Sequence, residues 1–312
     1  MNRQNRWSAP LLVLLISLGG CGTETEPEVE VQLPVTPIEF VTGEFGTAEG
    51  IVFNGEGRLY VVADTDVWEI ATDGTPTMIA DLVTPVGLAS RGASEILVAD
   101  FGPLTFTSDG ENSDGEVLSI TSTGTVTTVT TGIGDPNFIH VRADGSLLVS
   151  DDFTDVIYEV SPTGTLTTFL QGIQSPNGMV ESLDGSELYV AQTFSAVSPS
   201  FVFDDRVWRV PLTSEGPGTP ELLASLGGFG ANDGVTLDAR GRLYVAENVD
   251  GQVWRIDPAT NEVVLVAENM PFVASLAFGE GDFNRTSIYA TQLFGGVVWE
   301  LPVGVTGAGR AQ

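Results

Sequence analysis

The stretch Gly234-Val235-Thr236-Leu237, followed by Gly241-Arg242-Leu243-Tyr244-Val245-Ala246 and then Val253-Trp254-Arg255-Ile256, is three short apolar strands separated by Gly-bearing turns. A fourth strand before Asn269 completes the unit, and the unit recurs. It spans Gly50 to Leu82, Gly87 to Gly132, Phe138 to Gly172, Gly178 to Leu226, Gly234 to Asn269, and Ser275 to the end. Second strands align as Leu59-Tyr60-Val61-Val62, Ile96-Leu97-Val98-Ala99, Leu147-Leu148-Val149-Ser150, Leu188-Tyr189-Val190-Ala191, Leu243-Tyr244-Val245-Ala246 and Ser287-Ile288-Tyr289-Ala290. Six copies of four short strands, at a period of roughly 40 residues and without 3.6-residue apolar spacing, imply an all-β, six-bladed β-propeller with four antiparallel strands per blade.

The sixth copy runs out before its fourth strand. Thr36-Pro37-Ile38-Glu39-Phe40-Val41-Thr42-Gly43, ahead of the first blade, matches Thr165-Leu166-Thr167-Thr168-Phe169-Leu170-Gln171-Gly172, the outer strand of the third. The N-terminal strand is therefore expected to complete the last blade and close the ring.

Arg3 and Arg6, the apolar run Leu11 to Leu18, and Gly19-Gly20-Cys21 read as a signal peptide over 1–21. Leu18-Gly19-Gly20-Cys21 resembles a bacterial lipobox, which implies a lipidated Cys21 and an extracytoplasmic protein held on a bacterial membrane, periplasmic or cell-surface, by its anchor alone. Residues 22–32 read as a flexible acidic tether and 33–312 as one propeller domain, expected to be a monomer. Cys21 is the single cysteine, so no internal disulfide or thiolate metal site is available. The chain carries 42 acidic residues against 12 Lys+Arg, all of them arginine, for a formal charge of −30. That field repels nucleic acid and anionic lipid, and it concentrates cations.

Inner strands of a propeller begin at the mouth of the central channel, so the residues at their starts converge. That position reads Glu49, Val86, Asn137, Asn177, Asp233 and Ala274 down the six copies. Two carboxylates and two amides are hard oxygen donors that suit one Ca²⁺, or another divalent ion, better than zinc or copper. The alternative is that Asn177-Gly178 and Asp233-Gly234 are ordinary turn formers.

Ala48-Glu49-Gly50-Ile51-Val52-Phe53, Ser175-Pro176-Asn177-Gly178 and Asn232-Asp233-Gly234-Val235-Thr236-Leu237-Asp238 resemble the metal-binding motifs of the senescence-marker-protein/gluconolactonase/luciferin-regenerating-enzyme family. The resemblance implies a six-bladed propeller that binds a divalent ion through Glu49, Asn177 and Asp233, with Asn137 at a further metal or substrate position. It points to a metal-dependent hydrolase of small-molecule lactones or related esters, with Asp233 as general base or attacking carboxylate. Departures are Ile51-Val52-Phe53 after the first Gly, Asn137-Phe138-Ile139 in blade three, and Asp135 where sugar-lactone hydrolases tend to carry a substrate-gripping Arg. A non-catalytic propeller resembling NHL-repeat proteins, binding a protein or glycan, is the rival reading. A streptogramin-inactivating lyase is a third, disfavoured because strand alternation turns the single histidine, His140, away from Asn137.

Trp68, Trp208, Trp254 and Trp299 recur in the third strands and are expected to pack between blades. Asp64, Asp100, Asp151 and Glu247 follow the second strands, where solvated hairpin ends are the expected role and groups supporting the channel residues the alternative. Insertions Phe101 to Gly115 and Thr193 to Asp205 are expected to project from one face of the disc, either as a rim over a pocket or as plain surface loops.

Overall fold

The structure is a computed structural model that describes residues 31–106 and 112–309. The signal peptide, Cys21 and nearly all of the 22–32 tether lie outside the described residues, as does part of the first insertion. No helix occurs among the described residues.

Six antiparallel sheets form the blades. Their innermost strands are Ala48–Phe53, Pro85–Arg91, Pro136–Val141, Pro176–Glu181, Asn232–Leu237 and Val273–Phe278. The ring closes as the repeat comparison predicts: Ile38–Val41 is the outer strand of blade six, with Ile38 opposite Glu300, Glu39 opposite Trp299 and Val41 opposite Val298. Phe40 fixes this strand by edge contact with Tyr289 at 5.2 Å and Phe283 at 6.0 Å between ring centroids.

The core is divided into apolar clusters, each filled from two neighbouring blades. The second strands dominate them because they are covered on both faces, which is why Leu59 to Ala63 are all buried and read as a continuous apolar run. Trp68, Trp208, Trp254 and Trp299 each lie against one of these clusters, in agreement with the packing role.

Two features at the inner strands were not expected. Every inner strand shifts register near its start, between Ala48 and Ile51, Pro85 and Leu88, Pro136 and Ile139, Pro176 and Met179, Asn232 and Val235, and Val273 and Leu276. A bulge here releases a residue from the ladder and re-aims its side chain. The residues so released include Glu49, Asn137, Asn177 and Asp233.

The glycines that follow these positions are also explained. A Cβ on Gly50 would lie 2.3 Å from the Val86 carbonyl oxygen, one on Gly87 1.8 Å from that of Asn137, and one on Gly178 2.5 Å from that of Asp233. None of these glycines has a positive φ, so they are not the turn residues of the alternative reading. They are there because adjacent inner strands nearly touch around the axis. Gly87→Ala is expected to destabilise the protein by about 3 kcal/mol, the upper range for overpacking, read as a lowered urea midpoint with unchanged slope.

Candidate functional site

The site forms where the six bulges face one another. Asn137, Asn177 and Asp233 are buried, and Glu49 is half-buried at the same mouth. The Asn137 side chain lies beside Glu49 and that of Asn177 beside Asp233, each amide favouring the ionised carboxylate. Asn248 Nδ2 donates to Asp233 Oδ2 at 3.2 Å and to the Val273 carbonyl at 3.2 Å, tying blade five to blade six. The Thr291 hydroxyl donates to the Glu49 carbonyl, which fixes the bulge of blade one against blade six. The four residues singled out by their repeat position thus share one location, although this proximity says nothing by itself about a metal.

Asp152 is a fifth member that the repeat comparison missed. It is buried, Ser175 Oγ donates to its carbonyl at 2.6 Å and to its Oδ1 at 3.0 Å, and its charge opposes those of Asp233 and Glu49. Asp152 and Asn248 sit one residue past the ends of their second strands, a register that also supplies Thr193, whose hydroxyl donates to the Asn232 carbonyl at 2.9 Å. Reading this register down the repeats, as well as the inner-strand one, would have exposed it.

Three carboxylates therefore face one another with little water and, among the described residues, no ion-pair partner. Burial raises the Asp233 carboxyl to about 7 against the pull of its hydrogen bonds. Burial first, and then the Asp233 charge, raise Asp152 to about 7. Glu49 is held well above the usual carboxylate range by burial, then by Asp233 and Asp152. Asn177 Oδ1 is buried without a hydrogen-bond partner. Among the described residues no three His, Cys, Asp or Glu side chains are gathered tightly enough to hold a metal, so the donor set here is mixed carboxylate and amide oxygen.

A pH dependence follows. A carboxyl with a folded pKa near 7 keeps its proton in the folded chain, while the unfolded chain releases it near pH 4, so unfolding releases protons between those values and stability falls as pH rises. Asp152 and Asp233, at about 7, and Glu247, raised to about 8 mainly by burial, place that loss between about pH 4 and 8. Chelator-treated protein is expected to melt at a higher temperature at pH 5 than at pH 8, and Asp152→Asn to flatten that difference.

The acids after the second strands need correction. Asp100, Asp151 and Glu247 are buried rather than solvated, and only Asp64 is exposed. Three cap the loop entering their own inner strand, Asp64 accepting from the Thr47 amide at 3.0 Å, Asp100 from Thr84 at 3.0 Å and Asp151 from Asp135 at 3.4 Å, while Glu247 accepts from the Asp250 amide at 3.1 Å in the turn that follows it. Backbone N–H groups in a buried loop need acceptors, and these carboxylates provide them.

His140 lies between blades three and four, with Nε2 3.7 Å from Glu181 Oε2. The bulge breaks the strand alternation used to orient it, yet the histidine is committed to Glu181 and not to the mouth. Asp135 is buried, accepts from the Phe106 amide at 3.1 Å and from Asn112 Nδ2 at 3.3 Å, and burial lifts its pKa to about 6.

Residues 149–292 match the SMP-30/Gluconolactonase/LRE-like region family. The matched segment contains Asn177 and Asp233, whereas Glu49 and Asn137 precede it. Among solved structures, a gluconolactonase from Xanthomonas campestris is 15% identical, with 87% of this chain and 89% of that chain covered at a TM-score of 0.68. A calcium-binding protein, regucalcin, from Agrobacterium tumefaciens str. C58 is 22% identical, with 88% and 96% covered at 0.68. A luciferin-regenerating enzyme is 17% identical, with 88% and 98% covered at 0.66. At these identities the structural likeness establishes the fold. No curated protein matches the chain. From the second strand of blade three to that of blade six, this propeller matches the SMP-30/Gluconolactonase/LRE-like region.

Proposed function

We propose that the protein is a divalent-cation-dependent hydrolase of lactones or related esters, with Ca²⁺ bound at the mouth by Glu49, Asn137, Asn177 and Asp233. The observation that carries this reading is the unpartnered buried Asn177 Oδ1 beside carboxylates that oppose one another. A hard cation relieves both, and no nitrogen or sulfur donor competes for a softer metal. Calcium is the ion named for the Agrobacterium relative, and gluconolactonase the activity named for the Xanthomonas one.

Bound calcium would polarise the carbonyl of a lactone or ester. Asp233 is the general base: its carboxylate takes a proton from the attacking water and returns it to the departing alkoxide oxygen. Asn248 holds Asp233 in position through its hydrogen bond, and Asn177 lies beside it. We also infer a lipid anchor at Cys21 on the extracytoplasmic side, for which Cys21→Ser should release the protein from the membrane fraction.

The test is turnover of a panel of γ-lactones, δ-lactones and aryl esters in calcium and in chelator. The reading expects hydrolysis that chelation abolishes and calcium restores. Calcium-dependent stability without turnover of any panel member would contradict it and favour a binding module.

A further inference from the structure

Both insertions carry phenylalanines to the face of the disc on which the site opens. Phe106 from blade two, Phe153 from blade three, and Phe194, Phe201 and Phe203 from blade four form one chain of ring contacts. Centroids lie 5.8 Å apart for Phe106 and Phe153, 5.8 Å for Phe153 and Phe201, 4.8 Å for Phe194 and Phe201, and 5.7 Å for Phe194 and Phe203. Across the mouth, Phe272 and Phe294 make an edge contact at 5.0 Å. Phe153 is buried beneath the others, which keep open surface. Phe106 is 46% exposed, Phe201 49%, Phe203 48% and Phe294 55%.

The rim is built onto the site. Phe153 directly follows Asp152, and the Phe106 amide donates to Asp135. The blade-four insertion returns through Asp204, whose carbonyl accepts from the Ala231 amide at 2.8 Å, just before the inner strand that bears Asp233. Phe106 and Phe272 hold φ of +53° and +62°, a region that bulky residues rarely enter. Strain of this kind persists where surrounding structure enforces it, and it clusters at ligand sites. Connected exposed aromatic surface around a polar centre, on a chain of charge −30, is the arrangement of a site that grips an apolar group and orients a polar one.

We propose that this rim is the subsite for a long apolar substituent, so that the substrates are lactones or esters carrying alkyl or aryl chains rather than polyhydroxylated sugar lactones. The proposal rests on the hydrolase reading for the reacting carbonyl, which sits at the mouth while its substituent crosses the phenylalanines. The phenylalanine-bearing parts of the insertions are thus a substrate rim and not plain surface loops. Phe201 is the central specificity-determining residue, because it touches both Phe153 at the mouth and Phe194 on the blade-four hairpin.

The experiment compares γ-butyrolactone with γ-decalactone as substrates of the purified protein and of Phe201→Ser, alongside calorimetric titration of both proteins with γ-decalactone. Each methylene fully transferred from water contributes about fourfold, so partial burial of six predicts at least about tenfold higher kcat/KM for γ-decalactone. Phe201→Ser should bring that ratio below about threefold and weaken γ-decalactone binding. Equal kcat/KM for the two lactones in the unaltered protein overturns the proposal while leaving the hydrolase reading intact. If neither these lactones nor any member of the lactone and aryl-ester panel is turned over, calorimetric binding of γ-decalactone that Phe201→Ser abolishes supports the subsite and refutes the hydrolase, and absence of binding overturns the subsite as well. Capture by neutral phosphatidylcholine vesicles that Phe201→Ser abolishes, without any chain-length preference, would make the rim a membrane contact and overturn the proposal.

Discussion

Asp233→Asn is expected to lower lactone or ester turnover by about 10³-fold and to abolish stabilisation by calcium, while the chelated variant melts at a higher temperature than the chelated parent. The amide keeps the size of the side chain but cannot take a proton from water, so the loss falls on kcat. The rise in apo stability follows from removing one of three carboxylates, two of them buried, that oppose one another without a cation. For the parent, calcium at about 100-fold over its Kd contributes about 2.7 kcal/mol, which for a domain of this size is a rise of roughly 5–10 °C in Tm. Differential scanning fluorimetry with calcium and with chelator, on both proteins, checks all but the turnover. A variant that still gains several degrees from calcium would place the ion elsewhere.

Removing Leu33 to Gly43 should abolish cooperative folding, whereas a chain shortened to begin at Val31 should melt within about 2 °C of the full one. Val41 is buried, Phe40 is gripped by Phe283 and Tyr289, and the strand supplies the outer ladder of blade six. Truncating one large buried side chain costs about 2–5 kcal/mol, and the deletion removes buried Val35 and Val41 together with partly buried Phe40 and exposes a strand edge, so the loss is comparable with the entire stability of a typical domain. Far-ultraviolet circular dichroism during a thermal ramp distinguishes the two truncations. A cooperative transition near the parent's Tm in the 33–43 deletion would mean that the ring does not depend on this closure.

Architecture was legible in the sequence because a propeller writes the same instructions six times. Leu-Tyr-Val-Ala strands and recurrent tryptophans report the inter-blade clusters, and the likeness of Thr36–Gly43 to Thr165–Gly172 reports the closure. The meeting of Glu49, Asn137, Asn177 and Asp233 was legible for the same reason, since equivalent positions in a cyclic array converge on its axis. The bulges were not, because a register shift depends on pairing with the second strand and leaves no residue-type signature. Asp152 was hidden by its neighbour Asp151: one caps a loop and the other faces the mouth, and adjacent acids of opposite task look alike in one dimension. Buried caps such as Asp100 and Asp151 passed for solvated acids because burial of a carboxylate depends on backbone donors far along the chain. The phenylalanine rim joins three loops whose lengths alone could not say that they meet.

The shared cation is the claim on which the mechanism depends, and calcium-soaked crystals measured for anomalous scattering test it most directly. The account predicts one strong peak at the mouth, with oxygens of Glu49, Asn137, Asn177 and Asp233 at about 2.3–2.6 Å from it and water completing the shell. A mouth without an anomalous peak at millimolar calcium, or a peak that Asn177 and Asp233 do not touch, would contradict it.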